Sequence, residues 1–159
     1  MITVVYQLAC EADLLPSQEQ VERWVAAALA GHREEAEMVV RVVTPEEGRQ
    51  LNSDFRGRDY ATNVLSFPFE MPPVFEEELP ELGDVVICAE VVAEEAAEQG
   101  KPPEHHWAHM VVHGTLHLLG YDHMEETEAL EMEETEQKIL AGLGIPDPYR
   151  EEAGASSQA

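Results

Sequence analysis

The sequence predicts a single-domain α+β protein in which a roughly four-stranded mixed sheet packs with about five helices. Short runs rich in β-branched and aromatic residues alternate with longer segments whose apolar residues recur every three or four positions. Capping residues, glycines and prolines separate these segments, and no internal repeat or linker interrupts them. At 159 residues, the chain is long enough to bury one hydrophobic core. We therefore expect one domain over residues 1–148 and a disordered tail over residues 149–159.

The chain begins with a predicted strand over residues 2–8, which are rich in β-branched and aromatic side chains. Ser17 is predicted to cap the first helix, because Gln20 lies three residues later and can complete a capping box. Apolar residues at helical spacing follow, and the helix is expected to stop near Gly31. Residues 38–43 form the second predicted strand.

The middle of the chain contains a strong helix start at Thr44, where a capping residue precedes a proline at the first helical position. This second helix is expected to run to about Phe55. A third strand is predicted over residues 62–67, ended by Pro68. Residues 70–83 contain three prolines and five glutamates, so we predict an exposed and mobile loop there.

Another strand and three helices complete the predicted fold. The fourth strand covers residues 84–89, and a helix follows over residues 90–99 with Gly100 at its C-terminal end. Two prolines at 102 and 103 then open a central helix. The last predicted helix covers residues 125–143.

The most informative motif is a set of three histidines, His113-Gly-Thr-Leu-His117-Leu-Leu-Gly120-Tyr-Asp-His123. On a helix, His113 and His117 point the same way, one turn apart. Gly120 accepts the left-handed conformation common at helix ends, so the chain can return His123 to the same point. Three imidazoles with a fourth position open are the ligand set of a catalytic zinc. We predict one Zn²⁺ here; the alternative, histidines on an ordinary apolar helix, requires a rare chance match.

The histidine spacing resembles the metzincin signature H-E-x-x-H-x-x-G-x-x-H, with one departure. Gly114 stands where those peptidases have the glutamate that takes a proton from zinc-bound water. Such water has a pKa near neutrality, so a nucleophile is available without a protein base. The motif therefore predicts hydrolysis at a metzincin-like zinc site on the central helix, and it disfavours the usual route of peptide cleavage.

Further histidines on the same helix leave an alternative for the third ligand. Four histidines follow each other at i,i+4 spacing: His105, His109, His113 and His117. His109 could replace His123 as a ligand, or it could contact the ligands. Histidines at three successive i,i+4 positions spread over two turns, which favours His123. We predict that His105 and His106 are surface residues, and that Tyr121, Asp122 and the acids after position 124 are candidate partners of the ligands.

The net charge of −24, from 33 acidic and nine basic residues, ordinarily argues against a nucleic-acid partner. A solvated acidic surface is the simplest interpretation of most of it. Four of the nine basic residues are concentrated in one region: Arg41, Arg49, Arg56 and Arg58. Because arginine forks match phosphate oxygens, the loop at 56–58 is the candidate for binding a phosphodiester. The alternative is a surface turn with solvated arginines.

Three features bear on the cellular compartment. Cys10 and Cys88 are the only cysteines, which suits reduced thiols in a cytosolic protein, with a disulfide between them as the alternative. No stretch approaches eighteen apolar residues, and the first residues lack the pattern of a signal peptide. We expect a cytoplasmic protein with no membrane partner.

Three blocks of the chain resemble the bacterial YbeY family: Leu51-Asn52-x-x-Phe55-Arg56-Gly57-x-Asp59-x-x-Thr62-Asn63-Val64-Leu65-Ser66-Phe67-Pro68, Leu82-Gly83-Asp84-Val85, and the histidine motif. The resemblance implies a zinc-dependent, single-strand-specific endoribonuclease. It implies action in 16S rRNA 3′-end maturation and ribosome quality control, in the cytoplasm. It also implies His113, His117 and His123 as zinc ligands, and a functionally important arginine at Arg56.

The motif and the resemblance combine into one mechanistic hypothesis. Arg56 joins the three histidines as the catalytic set and neutralises the scissile phosphate. Arg58, Thr62, Asn63 and Ser66 are expected to border the cleft and contact the substrate. Single-stranded RNA can bend to the metal, whereas a stiff duplex is excluded. The expected partners are ribosomal RNA and the ribosome or ribosomal proteins, and no DNA.

Two other functions fit parts of the sequence. One is a zinc peptidase that takes its base from elsewhere, for instance from a glutamate of residues 125–136. The other is a non-catalytic ribosome-assembly factor in which zinc is structural. Three protein ligands favour the catalytic alternative, because structural zinc sites have four.

Overall fold

The computed structural model describes residues 2–12, 15–69, 81–120 and 126–148. Within these ranges the strands are β1 (Ile2–Leu8), β2 (Ala36–Val43), β3 (Val64–Pro68) and β4 (Glu81–Cys88). The helices there are α1 (Gln18–Leu29), α2 (Pro45–Arg56), α3 (Ala89–Gln99), α4 (Pro103–Leu118) and α5 (Glu126–Gly142). The predicted α+β class, with a four-stranded mixed sheet and five helices, is confirmed.

The sheet has the strand order β1-β2-β4-β3. β1, β2 and β4 run parallel, and β3 pairs antiparallel with β4. The parallel pairs are joined through connections that contain helices, as parallel strands require. β3 is therefore an edge strand. The candidate site lies beside it, between β3, α4 and the loop that follows α2.

Two hydrophobic clusters cover the two faces of the sheet. The larger one packs α1 and α4 against the sheet and includes Trp24, Leu116 and Ile87. Successive side chains of a strand point to opposite faces, so the neighbour of Ile87 belongs to the other cluster. The smaller cluster consists of Val43, Leu65, Val86 and Cys88, with side chains of α2 and α3 packed on it.

α4 is the central helix, and it contacts α1, α3, α5 and the sheet. Nearly all its side chains from position 106 to 118 are buried. Among them, His113 and His117 are only partly buried. The helix thus holds two imidazoles at the surface of an otherwise apolar core.

Helix ends predicted from local signals are confirmed. The side chain of Ser17 accepts from the backbone N–H of Gln20 at 3.1 Å, and the Gln20 side chain accepts from Ser17 N–H at 2.9 Å. Thr44 caps α2 through the N–H of Glu47. Gly100 ends α3 with a positive φ of 66°.

The predicted exposed loop at 70–83 is wrong over residues 81–83, which belong to β4. Leu82 is only 5% exposed. Gly83 has φ 135°, and a Cβ there would lie 2.2 Å from the carbonyl oxygen of Phe67. Glu81 and Gly83 pair with β2, and Gly83 also pairs with Pro68 of β3. The strand therefore begins three residues earlier than predicted. Residues 70–80 lie outside the described residues.

Three remaining expectations have different outcomes. Cys10 and Cys88 are both free thiols, so the disulfide alternative is wrong. The described helices include none with the length and apolar character needed to cross a membrane. Residues 149–159 lie outside the part of the chain that the structure describes, so the disordered tail stays a prediction.

Candidate metal centre and cleft

Two imidazoles of α4 converge at the helix surface. The Nε2 atoms of His113 and His117 are 3.1 Å apart. Two nitrogens that bind one zinc ion tetrahedrally at about 2.0–2.1 Å are separated by about 3.3–3.4 Å. The observed separation therefore fits two ligands of a single ion, as the i,i+4 spacing predicts.

A cleft of about 730 Å³ opens beside these imidazoles. It lies between α4, β3 and the loop that follows α2. Its lining consists of Asn52, Arg56, Arg58, Tyr60, Thr62, Asn63, Val64, Leu65, Ser66, Pro68, His113, His117 and Gly120. The structure thus brings His113 and His117 together with all the other candidate site residues, except His123, which lies outside the described residues.

The cleft differs in charge from the rest of the protein. Although the chain has 33 acidic residues, no aspartate or glutamate lines the cleft within the described residues, whereas two arginines do. The local charge of the cleft is therefore opposite in sign to the net charge of the chain, although both arginines are exposed.

Only half of the predicted basic region belongs to this cleft. Arg41 donates to Glu47 at 2.8 Å, and Arg49 donates to Asp59 at 2.7 Å. The hydrogen bond from Arg49 lowers the pKa of Asp59 below its usual value. For Arg56, the structure shows no hydrogen bond or ion pair to any described residue. Of the four arginines, Arg56 and Arg58 are the two that line the cleft, so phosphate binding by this loop stays a prediction for these two residues.

The arginine loop is fixed to α2 by a buried amide. Asn52 is 2% exposed, and its side chain donates to the carbonyl oxygen of Tyr60 at 2.8 Å. Gly57 ends the helix with φ 69°, and its N–H bonds back to α2. Asn52 received no role from the sequence alone. A polar residue near the end of a helix can hydrogen-bond the loop that follows, and this could have indicated its role.

Two predicted substrate-binding residues already have partners within the protein. Oδ1 of Asn63 accepts from Val64 N–H at 2.7 Å, and its Nδ2 donates to Glu95 at 3.0 Å. The hydroxyl of Ser66 donates to the carbonyl oxygen of Gly114 at 3.0 Å. The bond from Asn63 connects the residue before β3 to α3, and the bond from Ser66 connects β3 to α4. Substrate contact by Thr62, Asn63 and Ser66 stays a prediction. The third strand was predicted to begin at residue 62, but β3 begins at Val64, so Thr62 and Asn63 lie just before it.

Gly114 is required by the packing of α4 on the sheet. A Cβ at this position would lie 2.6 Å from Cγ1 of Val85 and 3.2 Å from Cγ2 of Val64. Space for even one methyl group is therefore missing. The catalytic glutamate of the metzincin signature cannot be accommodated here without displacing the helix.

We expect Gly114→Ala to lower the free energy of unfolding by about 1–3 kcal/mol, because overpacking outweighs the helix propensity of alanine. Gly142→Ala is the matched control, since a Cβ there would have no atom within 4 Å. Urea unfolding of both variants measures the difference. Equal stability of Gly114→Ala and wild type would contradict the steric explanation.

Glu136 of α5 is a buried carboxylate behind the metal site, 0% exposed. Nδ1 of His113 is within hydrogen-bonding distance of its Oε2, and Nε2 of His109 lies 3.3 Å from its Oε1. Burial alone would raise the pKa of Glu136, but the hydrogen bonds with His109 and His113 lower it to about 2. The sequence predicted only that acids after position 124 are candidate partners of the ligands, and Glu136 is one that contacts His113.

Two positions near His113 offer possible metal ligands. One is the pair of Nε2 atoms at the cleft. The other consists of His109, His113 and Glu136, whose ligand atoms lie within 4.8 Å of one another. His109 and Glu136 of the second group are buried and do not line the cleft, whereas His113 does. Only the first position gives a bound ion access to a substrate.

The turn predicted to carry the third ligand is described as far as Gly120. This glycine has φ 105° and lines the cleft, so the chain leaves the helix beside the two imidazoles. The role of His123 stays a prediction. His109 does not line the cleft; it contacts Glu136 instead.

The predicted surface position of His106 is wrong, while His105 is half-buried. His106 is 3% exposed, and its Nε2 lies 2.8 Å from Oε1 of Glu95. Burial lowers the pKa of His106, which favours the neutral imidazole. Packing of α3 against α4 encloses this ring.

Comparison with known proteins gives consistent results. A sequence model of the family described as Endoribonuclease YbeY matches residues 8–144. The Endoribonuclease YbeY of Alkalilimnicola ehrlichii is 62% identical over 151 residues, which cover 94% of this chain and 90% of that relative. The solution structure of TM1509 from Thermotoga maritima is 25% identical, with a TM-score of 0.57, and the match covers 95% of this chain and 100% of that one. The matched residues include the whole cleft and Glu136.

Proposed function

Because the chain belongs to the YbeY family, we propose that it is a zinc-dependent endoribonuclease that cleaves single-stranded RNA in the cleft beside His113 and His117. One observation carries the proposal: converging imidazoles share a cleft with two arginines, and no carboxylate lines it within the described residues. Zinc supplies Lewis-acid chemistry and lowers the pKa of water to near neutrality. This chemistry needs no protein base at position 114.

The residues of the cleft have distinct proposed roles. His113, His117 and His123 would hold one zinc ion, which would supply Lewis-acid chemistry at the cleft. Arg56 binds the scissile phosphate, because its fork can donate two parallel hydrogen bonds to phosphate oxygens. The absence of an ion-pair partner among the described residues supports this role. Arg58 contacts a neighbouring phosphate.

Selectivity for single strands follows from the remaining cleft lining. Tyr60 is 51% exposed and lines the cleft beside Arg58, whose Nη1 lies 3.4 Å from its hydroxyl. An exposed aromatic ring next to cationic groups is suited to stack an unpaired base. Bases within a duplex are already stacked on each other and cannot reach such a ring. Thr62, Asn63 and Ser66 line the cleft beside this position.

The proposed biological role is 16S rRNA 3′-end maturation and ribosome quality control in the cytoplasm. The family and the 62% identical relative support an RNA substrate. The net charge of −24 repels free RNA at long range. We therefore propose that the ribosome or basic ribosomal proteins bring the RNA to the cleft, and we propose no role on DNA.

The two other functions predicted from the sequence receive less support. A zinc peptidase needs a base near the metal, but Gly114 has no space for one. Glu136, the acid of residues 126–136 that contacts the site, is fully buried and bonded to two histidines. A structural zinc in an assembly factor would be enclosed by protein ligands, whereas this site opens on a cleft.

A cleavage assay on one ribosomal RNA fragment tests the proposal. We expect the wild-type protein to cleave the fragment as a single strand and to leave it intact when it is annealed to its complement. Metal removal by a chelator should abolish cleavage, and added zinc should restore it. Cleavage that persists without metal, or equal cleavage of the duplex, would contradict the proposal.

The end groups of the products identify the attacking oxygen. A cyclic phosphate indicates the 2′-hydroxyl of the RNA, whereas a linear phosphate at the first detectable stage indicates water. A peptide library digested in parallel serves as the comparison for the peptidase alternative, and we expect no cleavage of it.

A further inference from the structure

Glu136 is a fully buried carboxylate that the proposed reaction does not use. We propose that it is a positioning residue that fixes the ring orientation and tautomer of His113, so that the Nε2 lone pair of His113 points toward the cleft. The inference rests on the proposed function, because it concerns the same metal site. It assigns a role to α5, which contributes no residue to the described cleft lining.

The two ring nitrogens of His113 have different neighbours. Nδ1 contacts Oε2 of Glu136, and Nε2 lies 3.1 Å from Nε2 of His117 at the cleft. A neutral imidazole has one ring hydrogen, and an ionised carboxylate can only accept. The hydrogen is therefore held on Nδ1, and Nε2 keeps the lone pair that a metal requires.

Glu136 is itself held in place by packing and by a second histidine. Three side chains of α5 at i,i+4 spacing are buried: Met132, Glu136 and Leu140. The carboxylate thus lies in the middle of an apolar stripe that faces the core. Its other oxygen, Oε1, lies 3.3 Å from Nε2 of His109. With both oxygens engaged and no exposure to solvent, the carboxylate has one orientation in which to hold His113.

Direct metal binding by Glu136 fits the structure less well. An ion between His109, His113 and Glu136 would have to replace both hydrogen bonds of the carboxylate. It would also lie in the packing between α4 and α5, where a substrate has no access. The contacts therefore assign Glu136 to the histidine and leave the metal at the other ring nitrogen.

Zinc affinity of purified protein tests the assignment. We expect Glu136→Gln to bind zinc about 10–100-fold more weakly in a chelator competition, as is typical when the partner of a metal-bound histidine is lost. Glu134→Gln is the matched control, because it makes the same change on an exposed position of α5 and should bind like wild type. His117→Ala gives the loss expected for a direct ligand.

A nitrogen NMR measurement of the His113 ring in metal-free wild-type protein gives a readout that a merely structural role would not produce. We expect the hydrogen on Nδ1 in wild type and a mixture of tautomers in Glu136→Gln. The wild-type spectrum requires no variant, so the inference remains testable if Glu136→Gln does not fold.

Three outcomes would overturn the inference: wild-type zinc affinity in Glu136→Gln, a wild-type His113 with its hydrogen on Nε2, or a loss of zinc affinity in Glu136→Gln as large as the loss in His117→Ala. The last outcome would make Glu136 a ligand. A wild-type protein that binds no zinc would instead contradict the proposed function itself. The two failures are therefore distinguishable.

Discussion

Replacing His117 with alanine is expected to abolish RNA cleavage and to weaken zinc binding by more than about 100-fold. Losing a residue that only hydrogen-bonds a metal ligand typically weakens metal binding by about 10–100-fold, and losing a ligand itself costs more. His117 is only partly buried and lines the cleft. Its removal therefore leaves the hydrophobic core of α4 intact, and the variant should fold. Metal analysis, circular dichroism and the cleavage assay on the same sample measure the three properties.

His105→Ala is the control for this variant, because His105 lies on the same helix but outside the cleft lining. It should keep both zinc and activity. Loss of the folded state in His117→Ala would contradict the catalytic assignment and would favour a structural ion. Full activity in His117→Ala would remove the imidazole from the mechanism.

Replacing Arg56 with alanine is expected to reduce the cleavage rate by about 100-fold or more, while zinc content stays normal. The estimate follows from the typical cost of removing one preorganised group that stabilises charge in the transition state. Arg56→Lys should recover only part of the rate, because lysine keeps the charge but lacks the fork that matches phosphate. Single-turnover cleavage rates of the two variants test this.

Arg23→Ala removes the same charge from an exposed position of α1 and serves as the control for net charge. We expect its rate to match that of wild type. An unchanged rate in Arg56→Ala, with normal zinc, would show that Arg56 does not act on the phosphate. Equal losses in Arg56→Ala and Arg23→Ala would attribute the effect to overall charge.

Features encoded within four residues of each other could be predicted from the sequence. The capping box of Ser17, the helix start at Thr44 and the glycine that ends α3 all depend on contacts between near neighbours. The same reason explains why the spacing of His113 and His117 correctly predicts two converging imidazoles. Local geometry determines each of these features.

Burial on α4 and β4 could not be predicted in this way. α4 is enclosed on nearly all sides, so no polar face in the sequence marks which histidines are exposed. His106 is buried because α3 supplies Glu95 as its partner. Leu82 follows a segment rich in proline and glutamate, yet it belongs to β4, because its neighbours Glu81 and Gly83 pair with β2 and its carbonyl oxygen accepts from Phe69 N–H.

The charge of the cleft also depends on contacts between distant residues. The sequence shows four arginines close together, but acids from α2 and from the following loop pair with Arg41 and Arg49. Net charge is a sum over the whole chain, whereas binding depends on the groups that line one site. This is why a net charge of −24 is compatible with a cleft without carboxylates in the described residues.

The role of Glu136 could not be predicted directly, because it is one of seven acidic residues between positions 125 and 136. A signal for its burial exists in the sequence, because Met132 and Leu140 lie four residues before and after it. A single acid in the middle of such an apolar stripe has to find a partner in the core. The identity of that partner, His113, depends on how α5 packs on α4 and is visible only in the structure.

Anomalous X-ray diffraction from crystals grown with zinc is the most direct measurement of where the ion binds. We expect one peak in the cleft, within about 2.0–2.1 Å of Nε2 of both His113 and His117. A peak between Glu136 and His109, or no peak near either histidine of the cleft, would contradict it.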